Sequence, residues 1–390
     1  MPYIMELYAC GFNAHGQLNF STSTDDSPKD FYKLRRILTG TSIRLLVAGW
    51  STTVVEVDGT LRSNRGVIKL PTGCSTQDIS SVFGDHTGIL GALTLNGALL
   101  VHRDSEDGEE LNLASSLPSS SPYNAIPRIA HLAVSGIGVI CISPSTSGAM
   151  LPANTSNYIE AEPHHLHTHP SLSSLLQSST ATTHLLPQPP LHLTSNANTF
   201  AALSPSGSIY TWGDPRHQHL GRTPTTTTPA QQPGLVTGIG GVPMKKIASG
   251  GWMTGAVSRD GDLYVWGRQP PGVDEGNRIG CLPGASRTTN MSAEEESEDG
   301  EVALVDVDGG VDVVDVGVGA GHILALTRDG RIFGVGDNSN GQVGIGEGRG
   351  RRFCENWLEV PMGFEQEKKV IVRVDCGYWS SFVLVRVDQE

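Results

Sequence analysis

The stretch VVDVGVGAGHILALTRDGRIFGVGDNSNGQVGIG, Val313 to Gly346, reads as one complete structural unit. An alternating apolar run ends in a glycine turn at Gly319, a second run leads to Asp329-Gly330, a third follows, and a glycine-rich exit closes the unit. Alternation at period two marks strands with one buried face, and Asp-Gly between two such runs supplies the positive φ angles of a tight hairpin. The unit is therefore an antiparallel meander. The same grammar recurs from Lys245 to Arg268, Ile43 to Gly66 and Ser81 to Arg103, and more weakly from Arg128 to Ser145 and Leu191 to Gly221.

Aligned on the first turn, the copies carry Gly49, Gly84, Gly136, Asn196, Gly250, Gly319 and Gly377. Asn196 is expected to keep the turn because Asn also enters the left-handed region at modest cost. The spacing, from 35 to 69 residues, implies insertions on a constant core. The ends are the most informative part. The chain opens with YACGFNAHGQLNF (Tyr8 to Phe20), the second half of a repeat, and closes with VIVRVDCGYWSSFVLVRVD (Val370 to Asp388), a first half. Joined, they complete one copy, which closes a ring and removes the open sheet edge. The expectation is an all-β, seven-bladed propeller over residues 1–390, a single domain closed by its terminal half-repeats.

Composition agrees with many short strands: 47 glycines and only 17% charged residues in 390. A repeat that spreads one architecture over the chain overrides the length prior of two or three domains. The net charge of −13 disfavours generic nucleic-acid binding. Six scattered cysteines without a C-x-x-C pair read as reduced thiols of an intracellular protein. No apolar run is long enough to span a bilayer, and no signal peptide is legible, so neither a membrane nor one compartment among nucleus and cytoplasm is indicated.

These residues resemble the repeat of the regulator of chromosome condensation, whose pattern is Gly-x-x-His, Asp-Gly, Tyr-x-Trp-Gly and Asn-x-x-Gly-Gln-Leu-Gly. The matching stretches are Gly319 with His322, Asp329-Gly330 and Asn338 through Gly344; Asp260 through Gly267; Ile209 through Gly213; and Asn13 through Leu18. The likeness is specific in the last four copies and thin between Thr60 and Leu191. It implies seven blades of four strands in a small stand-alone member. It also implies one of three roles: exchange factor for a small GTPase, substrate-binding part of a ubiquitin ligase, or partner of chromatin and signalling proteins. The founding member's basic N-terminal tail has no counterpart in the seven residues before the first half-repeat.

Three insertions are expected to be loops leaving one rim: a Ser/Thr/Pro/His-rich stretch at about 144–190, a Thr-rich one at 223–233, and one at 269–312 containing the acidic run Glu294 to Asp299. His164, His165, His167 and His169 have the spacing of metal ligands, yet a flexible loop would not fix their geometry, so no metal is expected. Asp306 to Gly310 lacks most of a calcium loop's ligands, and no phosphate-cradling or nucleophile motif is present. No cofactor and no catalytic residue are expected.

Trp212 and Trp266 are expected to wedge one blade against the next. Trp50, Trp252 and Trp379 follow the turn glycine in three copies, and His86 and His322 hold nearby places in two more. Equivalent turns of a ring converge on one rim, so these five can form a composite aromatic surface that anchors a protein partner. Capping of the core between strands is the plainer alternative. Arg349, Arg351 and Arg352 form a compact basic patch whose guanidinium forks can grip an acidic partner. The function expected is a non-catalytic protein-interaction platform, a monomeric propeller serving as regulatory subunit of a nuclear or cytosolic complex. Guanine-nucleotide exchange on a Ran-like GTPase and substrate binding within a ubiquitin-ligase or chromatin-modifying complex are the alternatives, and an enzyme on the central channel is a third class.

Overall fold

The two ends of the chain lie side by side in one sheet. In the computed structural model Tyr3–Gly11 (β1) runs antiparallel to Ser380–Asp388 (β28), in unbroken register from Tyr3 opposite Asp388 to Gly11 opposite Ser380. Phe31–Gly40 (β2) and Lys369–Cys376 (β27) flank this pair, so the closing blade takes two strands from each end. The structure describes residues 3–20, 28–85, 88–103, 112–115, 128–145, 163–177, 179, 181–216, 219–269, 278–283, 302–347, 352–363 and 369–389.

Six further four-stranded antiparallel meanders complete a seven-bladed propeller. Blade 1 contains Ile43–Ala48 (β3), Thr53–Val57 (β4), Thr60–Ser63 (β5) and Gly66–Val67 (β6). Blade 2 contains Ile79–Asp85 (β7), Gly88–Thr94 (β8), Leu99–Arg103 (β9) and Asn112–Ser115 (β10). Blade 3 contains Ile129–Val134 (β11), Ile140–Pro144 (β12), His164–His169 (β13) and Thr182–Leu186 (β14), with a short helix, Leu172–Leu176 (α1), before its last strand. Blade 4 contains His192–Ser195 (β15), Thr199–Leu203 (β16), Ile209–Gly213 (β17) and Gly234–Leu235 (β18). Blade 5 contains Met244–Gly250 (β19), Met253–Ser258 (β20), Leu263–Gly267 (β21) and Ala303–Val305 (β22). Blade 6 contains Val313–Val318 (β23), His322–Thr327 (β24), Ile332–Asp337 (β25) and Phe353–Glu359 (β26); the closing sheet is blade 7.

The core is divided rather than central. Each apolar cluster joins two neighbouring blades, for example Leu324, Leu326 and Ile332 of blade 6 with Tyr8, Cys10 and Val383 of blade 7. Another joins Leu7 and Phe382 of blade 7 with Ile43 and Val55 of blade 1. Because a ring covers both faces of every sheet, the second strands β4, β16, β20 and β24 are buried along their whole length. Full burial of an aliphatic side chain is worth about 1.5–3 kcal/mol, so adhesion between blades is the main source of stability. Trp212 and Trp266, both buried, act as the expected wedges: Trp212 packs with Leu166 and Leu186 of blade 3, Trp266 with Ala201 and Ile209 of blade 4.

The structure corrects the reading of the first turn. Neither Asn196 nor the six turn glycines at its level have a positive φ; the left-handed pair is Asp58-Gly59, at φ 50 and 75, in the hairpin between β4 and β5. At the tightest of these turns glycine is required by crowding. A Cβ on Gly250 would stand 2.3 Å from the Val318 carbonyl of the next blade, and one on Gly84 would stand 2.2 Å from the Gly88 carbonyl. Asn196 instead braces its turn with its side chain, whose Oδ1 accepts from the Thr199 amide at 2.9 Å and hydroxyl at 2.7 Å.

The expected loop at 144–190 is also corrected, since it supplies β13, α1 and β14. Histidine concealed the strand pattern. His164, Leu166, His184 and Leu186 are buried at alternate positions, and the His164 ring is satisfied by the Ser143 hydroxyl at 2.8 Å. Likewise 303–305, inside the expected 269–312 insertion, forms the edge strand β22, while the acidic run lies outside the described residues. The 223–233 segment has no strand but is anchored: the buried Arg222 guanidinium donates to the carbonyls of Thr211, Thr228, Pro229 and Gln232.

Candidate functional site at the channel mouth

The seven first turns meet around a central cavity of about 720 Å³. Main-chain hydrogen bonds stitch neighbouring turns together: Gly136 N to Asn196 O at 3.1 Å, Ala197 N to Gly251 O at 2.8 Å, and Ala320 N to Tyr378 O at 2.9 Å. Small residues at these turns keep the passage open. Its described lining is mostly glycine, alanine, serine and aliphatic side chains, with aromatic rings gathered at one side.

That aromatic group belongs to blades 7 and 1. Trp50 and Trp379 meet edge to face at 6.5 Å between centroids, Phe12 packs on Trp379 at 5.4 Å, Tyr378 lies 5.2 Å from Trp379, and His15 approaches Trp50 at 4.6 Å. Tyr378 is 47% exposed, while both tryptophans are half-buried. Repeat-signature residues hold the group from below. Gln17 donates to the Trp50 carbonyl at 2.8 Å, Phe12 N to the Trp379 carbonyl at 2.8 Å, and Asn13 Oδ1 receives the Leu18 amide at 2.8 Å. Pairwise edge-to-face contacts of this kind contribute about 0.5–1.5 kcal/mol beyond area burial and present rigid rings to an incoming group.

The expected site residues separate. Trp50 and Trp379 come together, whereas Trp252 does not line the cavity and packs on His219 at 5.5 Å. His322 is corrected outright, being wholly buried between blades 6 and 7 and unable to touch a partner. Its Nε2 pairs with Ser381 Oγ at 2.9 Å, and Ser381 donates its own proton to the Gln342 carbonyl at 2.6 Å, so His322 carries hydrogen on Nε2. Burial pushes its pKa down to about 4, which keeps the ring neutral. Arg352 is exposed immediately before β26; His86, Arg349 and Arg351 lie outside the described residues. Phe12, His15 and Tyr378 were not singled out from sequence, although Phe12 and His15 flank Asn13 in the signature and Tyr378 adjoins Trp379.

Innermost strands also carry charges that sequence reading passed over. Lys246 of β19 forms an ion pair with Asp315 of β23, whose other oxygen accepts the Val374 amide at 2.9 Å; Arg373 pairs with Asp375 on β27 at 2.7 Å. His192 on β15 is held down at about 4, first by loss of hydration and then by the neighbouring Lys246, His131 and Arg373, which disfavour a further positive charge. The signal was a charged residue within an otherwise apolar strand. Because these charges are mutually paired, they stabilise the bore more than they offer a binding site. The four histidines of β13 do not converge, and among the described residues no three potential metal ligands gather at one point.

Seven such blades around a common channel define a β-propeller, and its repeats have known relatives. The regulator of chromosome condensation (RCC1) repeat matches residues 206–257 and 329–384, and a second form of the same repeat matches 313–342. The chain is a seven-bladed propeller that carries RCC1 repeats over residues 206–257 and 313–384. It is 30% identical over 209 residues to RCC1 domain-containing protein 1 of Mus musculus, covering 46% of this chain and 52% of that protein. It is 29% identical over 189 residues to the Homo sapiens E3 ubiquitin-protein ligase HERC2, covering 47% of this chain and 3% of that protein. The chain thus spans about half the length of the first relative and a small part of the second. Among solved structures, Prp20p of Saccharomyces cerevisiae superposes with a TM-score of 0.61 at 13% identity, over 99% of this chain and 92% of that one. No helix among the described residues is long and apolar enough to cross a membrane.

Proposed function

We propose that the protein is a non-catalytic interaction platform that holds a protein partner on the rim bearing the aromatic group. The observation that carries this reading is the cluster of Phe12, His15, Trp50, Tyr378 and Trp379 at the edge of an open cavity, braced from beneath and partly exposed. Rigid aromatic anchors of this type dominate protein interfaces because they bury much area at little entropic cost. Exposed Arg352 and the adjoining Arg349 and Arg351, together with Trp252 and His86, belong to the same proposal as outlying contacts. The working compartment is the nucleus or the cytosol.

Affinity purification followed by mass spectrometry tests this. One partner should be recovered with the native chain and lost with both Trp50→Ala and Trp379→Ala, each variant still showing native-like circular dichroism and a cooperative melt. Equal recovery with both variants would remove the rim from the account. Guanine-nucleotide exchange is the second reading, favoured by the likeness to Prp20p, a structure described with its binding to Gsp1p and histones. Accelerated release of labelled GDP from a Ran-like GTPase would support it, and an unchanged rate would dismiss it. The relation to HERC2 supports a third reading, a substrate-binding part of a ubiquitin-ligase complex. Ubiquitin-ligase subunits among the purified partners would favour it over the other two.

A further inference from the structure

The outer strand of the closing blade differs from its six counterparts in length and charge. β2 runs for 10 residues, whereas the outer strands β6, β10, β14, β18, β22 and β26 have 2, 4, 5, 2, 3 and 7. An outer strand turns alternate main-chain N–H and C=O groups away from its sheet, and long open edges are usually shortened or covered for that reason. The start of β2 is covered: the Tyr32 carbonyl accepts from Gly346 N at 2.7 Å, and Lys33 bridges to Ile345. From Leu34 to Gly40 the outward main-chain groups have no partner among the described residues. β2 also carries Lys33, Arg35 and Arg36 and no acidic residue, on a chain whose net charge is −13. Arg36 is committed to Glu6. Arg35, whose guanidinium lies 4.5 Å over the Phe31 ring, stays exposed, as does Lys33.

We infer that this edge is a docking site apart from the channel mouth, which takes an extended acidic segment of a protein partner as a fifth strand of blade 7. Main-chain pairing along Leu34–Gly40 supplies the affinity, and carboxylates of the added strand beside Lys33 and Arg35 supply the selectivity. Three features select this occupant. A row of unpaired amides and carbonyls matches another peptide backbone, which a nucleic acid does not offer. A chain of charge −13 repels a long polyanion, while a short acidic strand meets mainly the local positive charge. Leu34 and Leu38 are buried and pin β2 to the core, whereas Lys33 and Arg35 alternate with Leu34 and face the other way. Basic residues on an edge also serve to keep other strands off. That repulsion excludes a basic strand, including β2 of a second copy, and an acidic strand is the one it admits.

Fluorescence anisotropy with a short fluorescein-labelled peptide alternating glutamate and valine, at about 0.15 M salt so that diffuse attraction is screened, tests the inference. Its lysine–valine counterpart should bind at least about tenfold more weakly, and so should the acidic peptide once its backbone nitrogens are methylated. Hydrogen exchange of the Leu34–Gly40 amides should slow when the acidic peptide binds. The double variant Lys33→Glu with Arg35→Glu should reverse the preference, losing the acidic peptide and gaining the basic one, a gain that also shows the variant to be folded. Replacing Asp25 and Asp26 by Asn, or Glu294, Glu295 and Glu296 by Gln, should leave the affinity within about twofold. A gain of about tenfold from either change would give the edge to a segment of this chain itself and overturn the inference. So would absent binding, equal affinity for the two peptides, indifference to methylation, unchanged exchange in β2, or equally tight binding of single-stranded DNA. Trp50→Ala and Trp379→Ala should retain the acidic peptide, so this site and the platform reading stand or fall separately.

Discussion

Blades 6 and 7 and blades 2 and 3 have the same four-stranded form but are joined differently. Between 6 and 7, polar links cross the boundary: the buried His322 to Ser381 and Ser381 to the Gln342 carbonyl, and the part-buried Asn340 to Asp30 at 2.8 Å. Within blade 7, buried Glu6 is held by Lys369 at 2.7 Å, by Tyr8 at 2.8 Å and by Arg36, so the N- and C-terminal strands are tied by charge as well as by register. Between 2 and 3 the contact is mainly apolar, Phe83 and Leu93 against Ile129, Ile140 and Ile142, with the Ile129 amide on the Gly97 carbonyl at 2.9 Å. The repeat signature is therefore a set of polar clamps added to a fold that alternation and tight turns already specify. Where the signature is missing, apolar adhesion serves.

That contrast can be broken at four points, in decreasing order of effect. Gly250→Ala places a methyl carbon 2.3 Å from the Val318 carbonyl, a main-chain atom that cannot swing aside. A loss of about 3 kcal/mol or more is expected, measured by urea unfolding. His322 comes next. Its folded pKa of about 4 lies below the ordinary 6.5, so the unfolded chain binds the proton more readily. The stability that the neutral ring contributes is complete above pH 6.5 and is lost as pH falls toward 4, by up to about 3 kcal/mol. A His322→Gln variant should therefore show a shallower loss between those values, and parallel curves would place the acid sensitivity elsewhere.

Glu6→Gln probes the closing blade. Burial by itself would raise the Glu6 carboxyl, but Lys369, Arg36 and Tyr8 outweigh it and hold the group below its ordinary 4.5. Its contribution is present above that value and lost as pH falls below it. The variant should be about 2 kcal/mol less stable at pH 7, less than for a wholly enclosed pair because Arg36 is half exposed, and the gap should close in acid. Hydrogen exchange of the β1 and β28 amides should rise first. The smallest effect lies between blades 3 and 4: in Gly136→Ala the new carbon meets Ala197 Cα at 3.1 Å, a contact relieved by a small shift, and about 1 kcal/mol is expected. If Gly136→Ala costs as much as Gly250→Ala, the boundary between blades 3 and 4 is as tight as that between blades 5 and 6 and the crowding does not vary around the ring.

Ring closure was legible because half-repeats at the two ends need only be joined to make a known pattern, and β1 with β28 pair in that way. Blade 3 was not, because His164, His167 and His184 look polar in a one-dimensional pattern while their neutral rings accept burial; for all three, burial is the main reason their pKa is lowered. The turn glycines were recognised for the wrong reason, since their crowding comes from the next blade or from across the hairpin and leaves no local mark. For the site, Trp50 and Trp379 could be placed on one rim from their repeat positions, but Trp252 and His322 occupy similar positions and end on His219 and inside the core.

What the amino-acid order settled by itself is what depends on near neighbours: strand alternation, hairpin turns, the number of blades and the pairing of the ends. What only the folded ring decided is which side chains from distant repeats share a surface. The aromatic edge joins residues near 12 with residues near 379, and the charges of the bore come from strands more than fifty residues apart. Period-two patterning constrains each side chain to one face of its own strand, whereas the tilt and crowding of seven blades around a channel determine whether that face meets solvent, a neighbour or the cavity.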